Sequence, residues 1–210
     1  MLYSITNPEL LTITTQSGKH ASFGGNQIWY AAEWGKRAGC GPTCAANVLS
    51  YLAFTKPELR GLYGYDTLSQ ESFTKHMEEL FAFITPGNMG VNRAEMFSEG
   101  AVSFAKSRGI TLRPHVFNVM GNLSLSRPDV SQFTAFVMAG LEANCPLGFL
   151  NLTRGRVKTL QSWHWITITK AELGHNSLTA EASDEGRCIS FDLRLWYLST
   201  RMSGGLVYFT

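Results

Sequence analysis

A cysteine stands between two glycines in the stretch RAGCGPTCAANVLSYLA, and its surroundings suit a nucleophile. Pro42 fits a first helical turn, and an apolar, alanine-rich pattern follows it, so the sequence places Cys40 at a helix N-terminus. The partial positive charge and free N–H groups of a helix start favour a thiolate, and the flanking glycines leave the sulfur accessible. The same position also suits a small buried residue, because free cysteine is common in protein cores.

A nucleophilic cysteine needs a general base, and His164 is the strongest candidate. It begins the segment HWITITK, whose alternation predicts a strand with His164, Ile166 and Ile168 on one face. An imidazole at the start of a buried strand can point from a rigid scaffold into a cleft. The alternative is a packed core histidine between Trp163 and Trp165, which either line the cleft or belong to the core.

The other four histidines fit this role less well. His76 follows Lys75 and precedes Glu78 on a predicted helix, where we expect it to be solvated. The remaining three lie in polar sequence, after a proline or in a turn; they are His20, His115 and His175.

The base needs an orienting partner, and Asp184 is the candidate. It follows the segment SLTAEAS, which can pair antiparallel with HWITITK across the turn AELGHN. This hairpin brings Asp184 beside His164, 20 positions earlier in the chain. The alternatives are that Asp184 belongs only to a polar turn, that Ser183 takes the position, or that Asp192 does.

The elements around these residues change character along the chain. The first two-thirds predict helices at GCGPTCAANVLSYL, SQESFTKHMEELFAFI, NRAEMFSEGAVSFAKSRG and PDVSQFTAFVMAGLEAN. Asn92 with Glu95 resembles a capping pair for the third of these, and Gly109 a stop. Pro114 confines ITLRPHVFNV to an edge strand. The other predicted strands are ELLTITTQ, PLGFLNL, SWHWITITK, NSLTAEAS, RCISFD and GLVYFT, and RGRVKTLQ is a connection or a loop over the site.

This segregation predicts the α+β class, with N-terminal helices packed on a mostly antiparallel C-terminal sheet. At 210 residues with 44% apolar content, the chain is long enough for one domain over 1–210. Within it we expect a helical part at about 40–145 and a sheet part at about 146–210.

Composition excludes several classes of partner. The net charge of +2 comes without a block of like charge, so we expect neither a nucleic acid nor a membrane as partner. The N-terminus lacks the pattern of a secretory signal. Of the four cysteines, Cys40 and Cys44 are four positions apart and the other two are far away, which is not a dense disulfide framework, so we expect a cytoplasmic protein with free thiols. Cys40 and Cys44 lack the spacing of a zinc site, and we expect no cofactor.

With GCGPTCAANVLSYL, HWITIT and SDEG in this order, the chain resembles the papain-like cysteine peptidases, especially the bacterial branch related to bacteriocin-leader-processing peptidases. The resemblance implies a papain-like fold in which Cys40 matches the nucleophile, His164 the base and Asp184 the orienting residue. It covers the cysteine helix and the C-terminal sheet, about half the chain. The segment from about 55 to 145 has no counterpart.

Papain-like enzymes also place an oxyanion-hole glutamine a few residues before the cysteine, and here EWGKRAG contains none. The nearest is Gln27, 13 residues upstream in GGNQIWY, where the glycine pair permits a tight approach. Gln27 is therefore the candidate donor, the alternative being an ordinary surface glutamine. Glu33 is a poor substitute, because its carboxylate would repel the oxyanion. The acidic residue before the glycine of SDEG also departs from the family, which tends to carry an aromatic there.

The sequence thus predicts a cysteine peptidase or amide hydrolase that acts on a peptide or related amide. Acyl transfer of the transglutaminase-like type uses the same groups and is not separated from hydrolysis. The alternative from another class is a weak or inactive relative that serves as a binding domain. A redox pair of Cys40 and Cys44 is disfavoured by their i, i+4 spacing on one helix. Substrate identity and oligomeric state stay open.

Overall fold

A computed structural model describes residues 1–15 and 21–210 of the chain, so the candidate His20 lies outside the described residues. Within these ranges the α-helices are α1 (Glu33–Ala38), α2 (Cys40–Thr55), α3 (Gln70–Phe81), α4 (Ala94–Ser107), α5 (Val130–Glu142) and α6 (Leu193–Ser199). Short 3-10 helices span Pro8–Leu11, Gln27–Trp29 and Pro57–Leu62. None of the helices in the described ranges is long and apolar enough to cross a membrane.

The described strands form one large antiparallel sheet and a separate hairpin. They are β1 (Leu2–Ser4), β2 (Thr12–Thr14), β3 (Ala21–Phe23), β4 (Pro114–Val119), β5 (Leu147–Asn151), β6 (His164–Leu173), β7 (Leu178–Asp184), β8 (Arg187–Asp192) and β9 (Gly204–Phe209). The large sheet has the order β4-β9-β5-β6-β7-β8, and β1 also pairs with β6, while β2 pairs with β3. As Pro114 predicted, β4 is an edge strand.

Helices cover both faces of the large sheet. On one face, Trp165 of β6 stacks on Phe97 of α4 with ring centroids 4.3 Å apart. On the other, Phe149, the strand partner of Ile166, packs edge-on against Trp196 of α6 at 4.5 Å. The α+β class is confirmed, but the predicted segregation is incomplete, because α6 lies within the expected sheet part and β4 within the helical part.

Helix α2 runs through the middle of the molecule, where every residue from Gly41 to Ala53 is buried. The Cys44 sulfur lies 3.2 Å from the carbonyl oxygen of Ile166, so the helix packs closely on β6. The alanines of this segment allow that approach, since small side chains keep the two backbones near one another. The position of Cys40 at the start of α2 is therefore fixed by the packing of the whole helix.

The predicted cap of α4 is wrong. The N-cap is Arg93, in extended conformation and without a side-chain cap hydrogen bond, so Asn92 lies one residue too early to cap. Glu95 instead accepts a hydrogen bond from the Asn118 side chain. The helix begins without a side-chain cap, and its buried apolar face holds it in place.

His76 was expected to be solvated, and this prediction is wrong, because the side chain is fully buried. Its ring lies among the rings of Tyr63, Phe73 and Phe104, at centroid distances of 4.9, 6.0 and 5.8 Å. The nearest carboxylate oxygen, on Glu79, is 3.9 Å from Nδ1 and is also 2.5 Å from the Arg108 guanidinium. Burial lowers the pKa of His76 despite Glu79, so the ring is neutral in the folded chain.

This burial predicts acid sensitivity. Unfolding releases His76 into water, where it binds a proton below about pH 6.5, so its contribution to stability is lost as pH falls through that value. We expect His76→Phe to reduce the loss of unfolding free energy between pH 7 and pH 5 by up to about 1.4 kcal/mol per pH unit. Urea denaturation measures it, with the exposed His175→Gln as control. A parallel pH dependence in wild type and His76→Phe would contradict the assignment.

Candidate active site

The glycines around Cys40 are required by packing as well as by access. A Cβ on Gly39 would lie 2.3 Å from the ring of Tyr30, and one on Gly41 would lie 2.9 Å from the side chain of Val91. Cys40 is the first residue of α2 and is half-buried between these contacts. The thiol therefore sits at the helix N-terminus that the sequence predicts, with its backbone N–H at the start of the helix.

His164, the first residue of β6, reaches both neighbours that the sequence assigned to it. Its Nε2 lies 2.7 Å from Oδ1 of Asp184, and both side chains are buried. The imidazole and the Cys40 thiol line the same small pocket. With Nε2 occupied by the carboxylate, Nδ1 is the nitrogen that remains for exchange of a proton with sulfur.

Burial and neighbouring groups shift the pKa of His164 in opposite directions. Loss of hydration alone would lower its pKa, but the hydrogen bond to Asp184, the charge of that carboxylate and the neighbouring Cys40 raise the pKa to about 10. The buried imidazole is thus held in its protonated form.

A tight turn fixes the position of Asp184. The residue ends β7, and the two residues that follow, Glu185 and Gly186, both have positive φ, at 47° and 81°. Two such residues make the hairpin turn whose twist matches the flanking strands. The pairing of Asp184 with Arg187 closes this hairpin, so the carboxylate projects from the last rigid position of the strand.

The two alternative third residues are engaged elsewhere. Ser183 donates a hydrogen bond to the carbonyl oxygen of Phe23 at 2.6 Å and accepts one from the Asn47 side chain at 3.3 Å. Asp192 caps α6 by accepting from the backbone N–H of Leu195 at 2.7 Å. Of the three candidates, Asp184 is the one whose side chain hydrogen-bonds His164.

Gln27 lies in the 3-10 helix Gln27–Trp29 and lines the same small pocket as Cys40 and His164. Its Oε1 is buried without a hydrogen-bond partner in the described part of the chain. A buried amide oxygen in this state costs about 1–3 kcal/mol unless a ligand or water supplies a donor. Glu33, the poor substitute, is instead paired with Lys36 at 2.6 Å on an exposed part of α1.

The loop that carries Gln27 is tied to both halves of the site. Gly24 has φ of 80°, and a Cβ there would lie 2.1 Å from Oγ of Ser183, so glycine is required. The next backbone N–H, of Gly25, donates to Oδ1 of Asn47 at 2.8 Å. Asn26 donates from Nδ2 to the carbonyl oxygen of Glu185 at the same distance. These bonds bring a segment 13 residues upstream of Cys40 into the site.

Asn47 is the residue of the site that sequence reasoning missed. It is buried on α2 and contacts the Gln27 loop, Ser183 and the Thr167 hydroxyl, the last at 3.0 Å. The signal was present in the sequence, because Asn47 is an amide residue two helical turns after Cys40 within a mostly apolar helix. A buried amide in such a helix requires partners, and here they are the elements that hold the site together.

An apolar cleft opens beside the sulfur. It has a volume of about 380 Å³, and its lining includes Cys40, Trp34, Met89, Val91, Leu150 and Trp163. Trp163 is 42% exposed, with φ of 57°, whereas Trp165 is buried in the core and donates from its indole N–H to Val91. Of the two tryptophans beside His164, one therefore lines the cleft and the other packs in the core.

No family model matches the chain, and no curated protein matches it. Its fold resembles that of UfSP from C. elegans. The TM-score is 0.55 at 8% sequence identity, and all of this chain aligns with 34% of the UfSP chain, about a third of its length. UfSP is a cysteine protease of the papain-like fold, so this likeness supports the papain-like part of the expected architecture.

The raised pKa of His164 gives the site a pH dependence of known sign. The folded chain keeps a proton that the unfolded chain releases above about pH 6.5, so this stabilisation is complete below pH 6.5 and lost as pH rises through about 10. In a Cys40→Ser background, which removes the thiol from this pocket, we expect Asp184→Asn to reduce the loss of unfolding free energy at alkaline pH. Urea denaturation between pH 6 and 10 measures it.

The matched control is Asp192→Asn, which also neutralises an aspartate but lies at the α6 cap. It should keep the alkaline loss of the Cys40→Ser parent, whatever its effect on stability at neutral pH. If Asp184→Asn declines as steeply as the parent, the carboxylate does not hold the proton on His164.

Proposed function

We propose that this chain is a cysteine peptidase or amide hydrolase in which Cys40 is the nucleophile, His164 the general base and Asp184 the residue that orients the imidazole. The observation that carries the proposal is the buried imidazole that hydrogen-bonds a carboxylate and shares a small pocket with a thiol at a helix N-terminus. A nucleophile, a base and a third group that orients the base form the recurring apparatus of covalent acyl chemistry.

In the proposed reaction, His164 is an imidazolium that carries the proton given up by Cys40, and the thiolate attacks the substrate carbonyl carbon. The carbonyl oxygen becomes an oxyanion, for which the backbone N–H of Cys40 and the side-chain amide of Gln27 are the proposed donors. Collapse of this intermediate breaks the C–N bond, and the amine leaves with the proton held by His164. The imidazole, now neutral, deprotonates a water molecule that attacks the thioester, and release of the acid leaves the thiolate and the imidazolium as at the start.

The substrate class follows from the cleft beside the sulfur. Its apolar and aromatic lining, with Trp34 and Trp163 exposed, suits a large apolar side chain next to the scissile amide. Transfer of the acyl group to an amine instead of water uses the same groups. The papain-like motifs alone carry the link to the branch of bacteriocin-leader-processing peptidases, whereas the likeness to UfSP supports the fold.

The proposed pairing predicts selective alkylation of Cys40. In a Cys188→Ser background, which removes the exposed cysteine and leaves Cys44 and Cys145 buried, iodoacetamide should label Cys40 at pH 6.5. We expect His164→Ala to slow this labelling at least about tenfold, because the thiolate loses its imidazolium partner. Intact mass measured against time gives the rate. The enzyme proposal would be contradicted if Cys40 were not labelled, or if the chains with and without His164→Ala were labelled at equal rates.

The proposed role of Gln27 predicts that its removal slows substrate turnover but not the alkylation of Cys40. Removal of an oxyanion donor costs about 10²–10³ in turnover, whereas alkylation by iodoacetamide passes through no oxyanion. We expect Gln27→Ala to lower kcat/KM on peptidyl aminocoumarin substrates by this factor and to leave the labelling rate of Cys40 within about twofold. The neighbouring, exposed Ile28→Ala is the control and should change neither.

Equal losses of labelling and turnover in Gln27→Ala would mean that the residue supports the thiol, not the oxyanion. A Cys40 that labels fast in a chain that turns over no peptidyl aminocoumarin would favour the binding domain that the sequence left as the alternative.

A further inference from the structure

A second cleft, which the proposed reaction does not use, is rich in arginine. It has a volume of about 430 Å³, and we call it the arginine cleft. Its basic side chains are Arg154, Arg156 and Arg201, all exposed. Its remaining lining comes from Asn122, Thr153, Gly155, Ser162, Leu198 and Ser199.

Hydrogen bonds hold the backbones that carry these arginines close together. The backbone N–H of Arg154 donates to the Ser162 hydroxyl at 3.1 Å, and that of Arg156 donates to the Ser199 hydroxyl at 2.9 Å. The N–H of Arg201 lies 3.3 Å from the Thr153 hydroxyl. The three side chains thus project from fixed, neighbouring positions on two segments that are distant in sequence.

The loop between β5 and β6 is itself closed at its base. Asn151, the last residue of β5, donates from its side chain to the carbonyl oxygen of Gln161. Gly155 has φ of 54°, and a Cβ there would lie 2.5 Å from the Ser199 hydroxyl oxygen, so the loop approaches α6 closely at a glycine. Contacts within the β5–β6 loop and between this loop and α6 therefore hold the arginine cleft in shape.

The charge of the cleft is uncompensated within the described residues. No aspartate or glutamate lines it, and none of its three arginines takes part in an ion pair among the described ranges. Positive charges held near one another repel, and a bound anion removes that repulsion. Each guanidinium also offers a planar fork of N–H donors that matches a phosphate or carboxylate group.

We propose that the arginine cleft binds a small anion that carries two or more phosphate or carboxylate groups. Three guanidinium groups around one cavity can bind more than one such group at once, which a single phosphate cannot exploit. This site is separate from the apolar cleft beside Cys40, although Thr153 and Ser162 of one cleft adjoin Leu152 and Trp163 of the other. The proposal does not depend on the proposed peptidase activity.

The test is isothermal titration of the full chain, carrying Cys40→Ser to keep it inert, with pyrophosphate, citrate and inorganic phosphate at one fixed ionic strength. We expect pyrophosphate, citrate or both to bind with a Kd below about 1 mM and at least tenfold tighter than inorganic phosphate. Comparison of the Kd for pyrophosphate with the Kd for citrate distinguishes a phosphate ligand from a carboxylate ligand. If neither binds, the proposal is overturned.

Three variants locate the binding. Arg154→Ala, Arg156→Ala and Arg201→Ala combined should weaken it at least tenfold, and the three Arg→Lys changes should weaken it less, because they keep the charge and lose the fork. Lys106→Ala with Arg113→Ala removes exposed charge elsewhere and should have no effect. Equal weakening in this control, or undiminished binding in the triple alanine variant, would overturn the proposal. So would tenfold tighter binding of a short single-stranded RNA, since the ligand would then be a nucleic acid.

Discussion

The hydrogen bond between His164 and Asp184 is the contact on which the geometry of the site depends. It joins the first residue of β6 to the last residue of β7, so β6 must begin at the same end of the sheet at which β7 stops. The thiol that meets the imidazole comes from the first residue of α2, which must therefore point its N-terminus at that edge. The start of α2, the start of β6 and the end of β7 therefore lie close together, and each has its own local cause.

Two of these terminations involve backbone conformations that L-residues adopt rarely. Trp163 and Glu185 both have positive φ, and they flank His164 and Asp184 respectively. Such a conformation costs of the order of 1–3 kcal/mol at a bulky residue. For Glu185 the hairpin turn with Gly186 offsets this cost. For Trp163 the left-handed residue directs the chain from the loop into β6 and leaves the indole exposed beside the apolar cleft.

Local sequence patterns could predict the elements that carry Cys40, His164 and Asp184, because a helix start and a hairpin are determined by neighbouring residues. They could not predict how the Gln27 loop reaches the site. That approach depends on Asn47, Ser183 and the carbonyl of Glu185, which are contributed by α2 and by the end of β7. Glycines in GGNQ marked a turn, but the partner that requires the first of them lies 159 positions away.

The two buried histidines explain why residue type alone could not assign a role. Both His76 and His164 lose their hydration, and this loss lowers the pKa of each. His76 meets three aromatic rings and a carboxylate at 3.9 Å that Arg108 already binds, so burial prevails and the ring stays neutral. His164 has a carboxylate at 2.7 Å and shares its pocket with a thiol, so the charged form prevails. The difference in protonation between these two buried histidines therefore lies in tertiary contacts, which the neighbouring residues in sequence do not reveal.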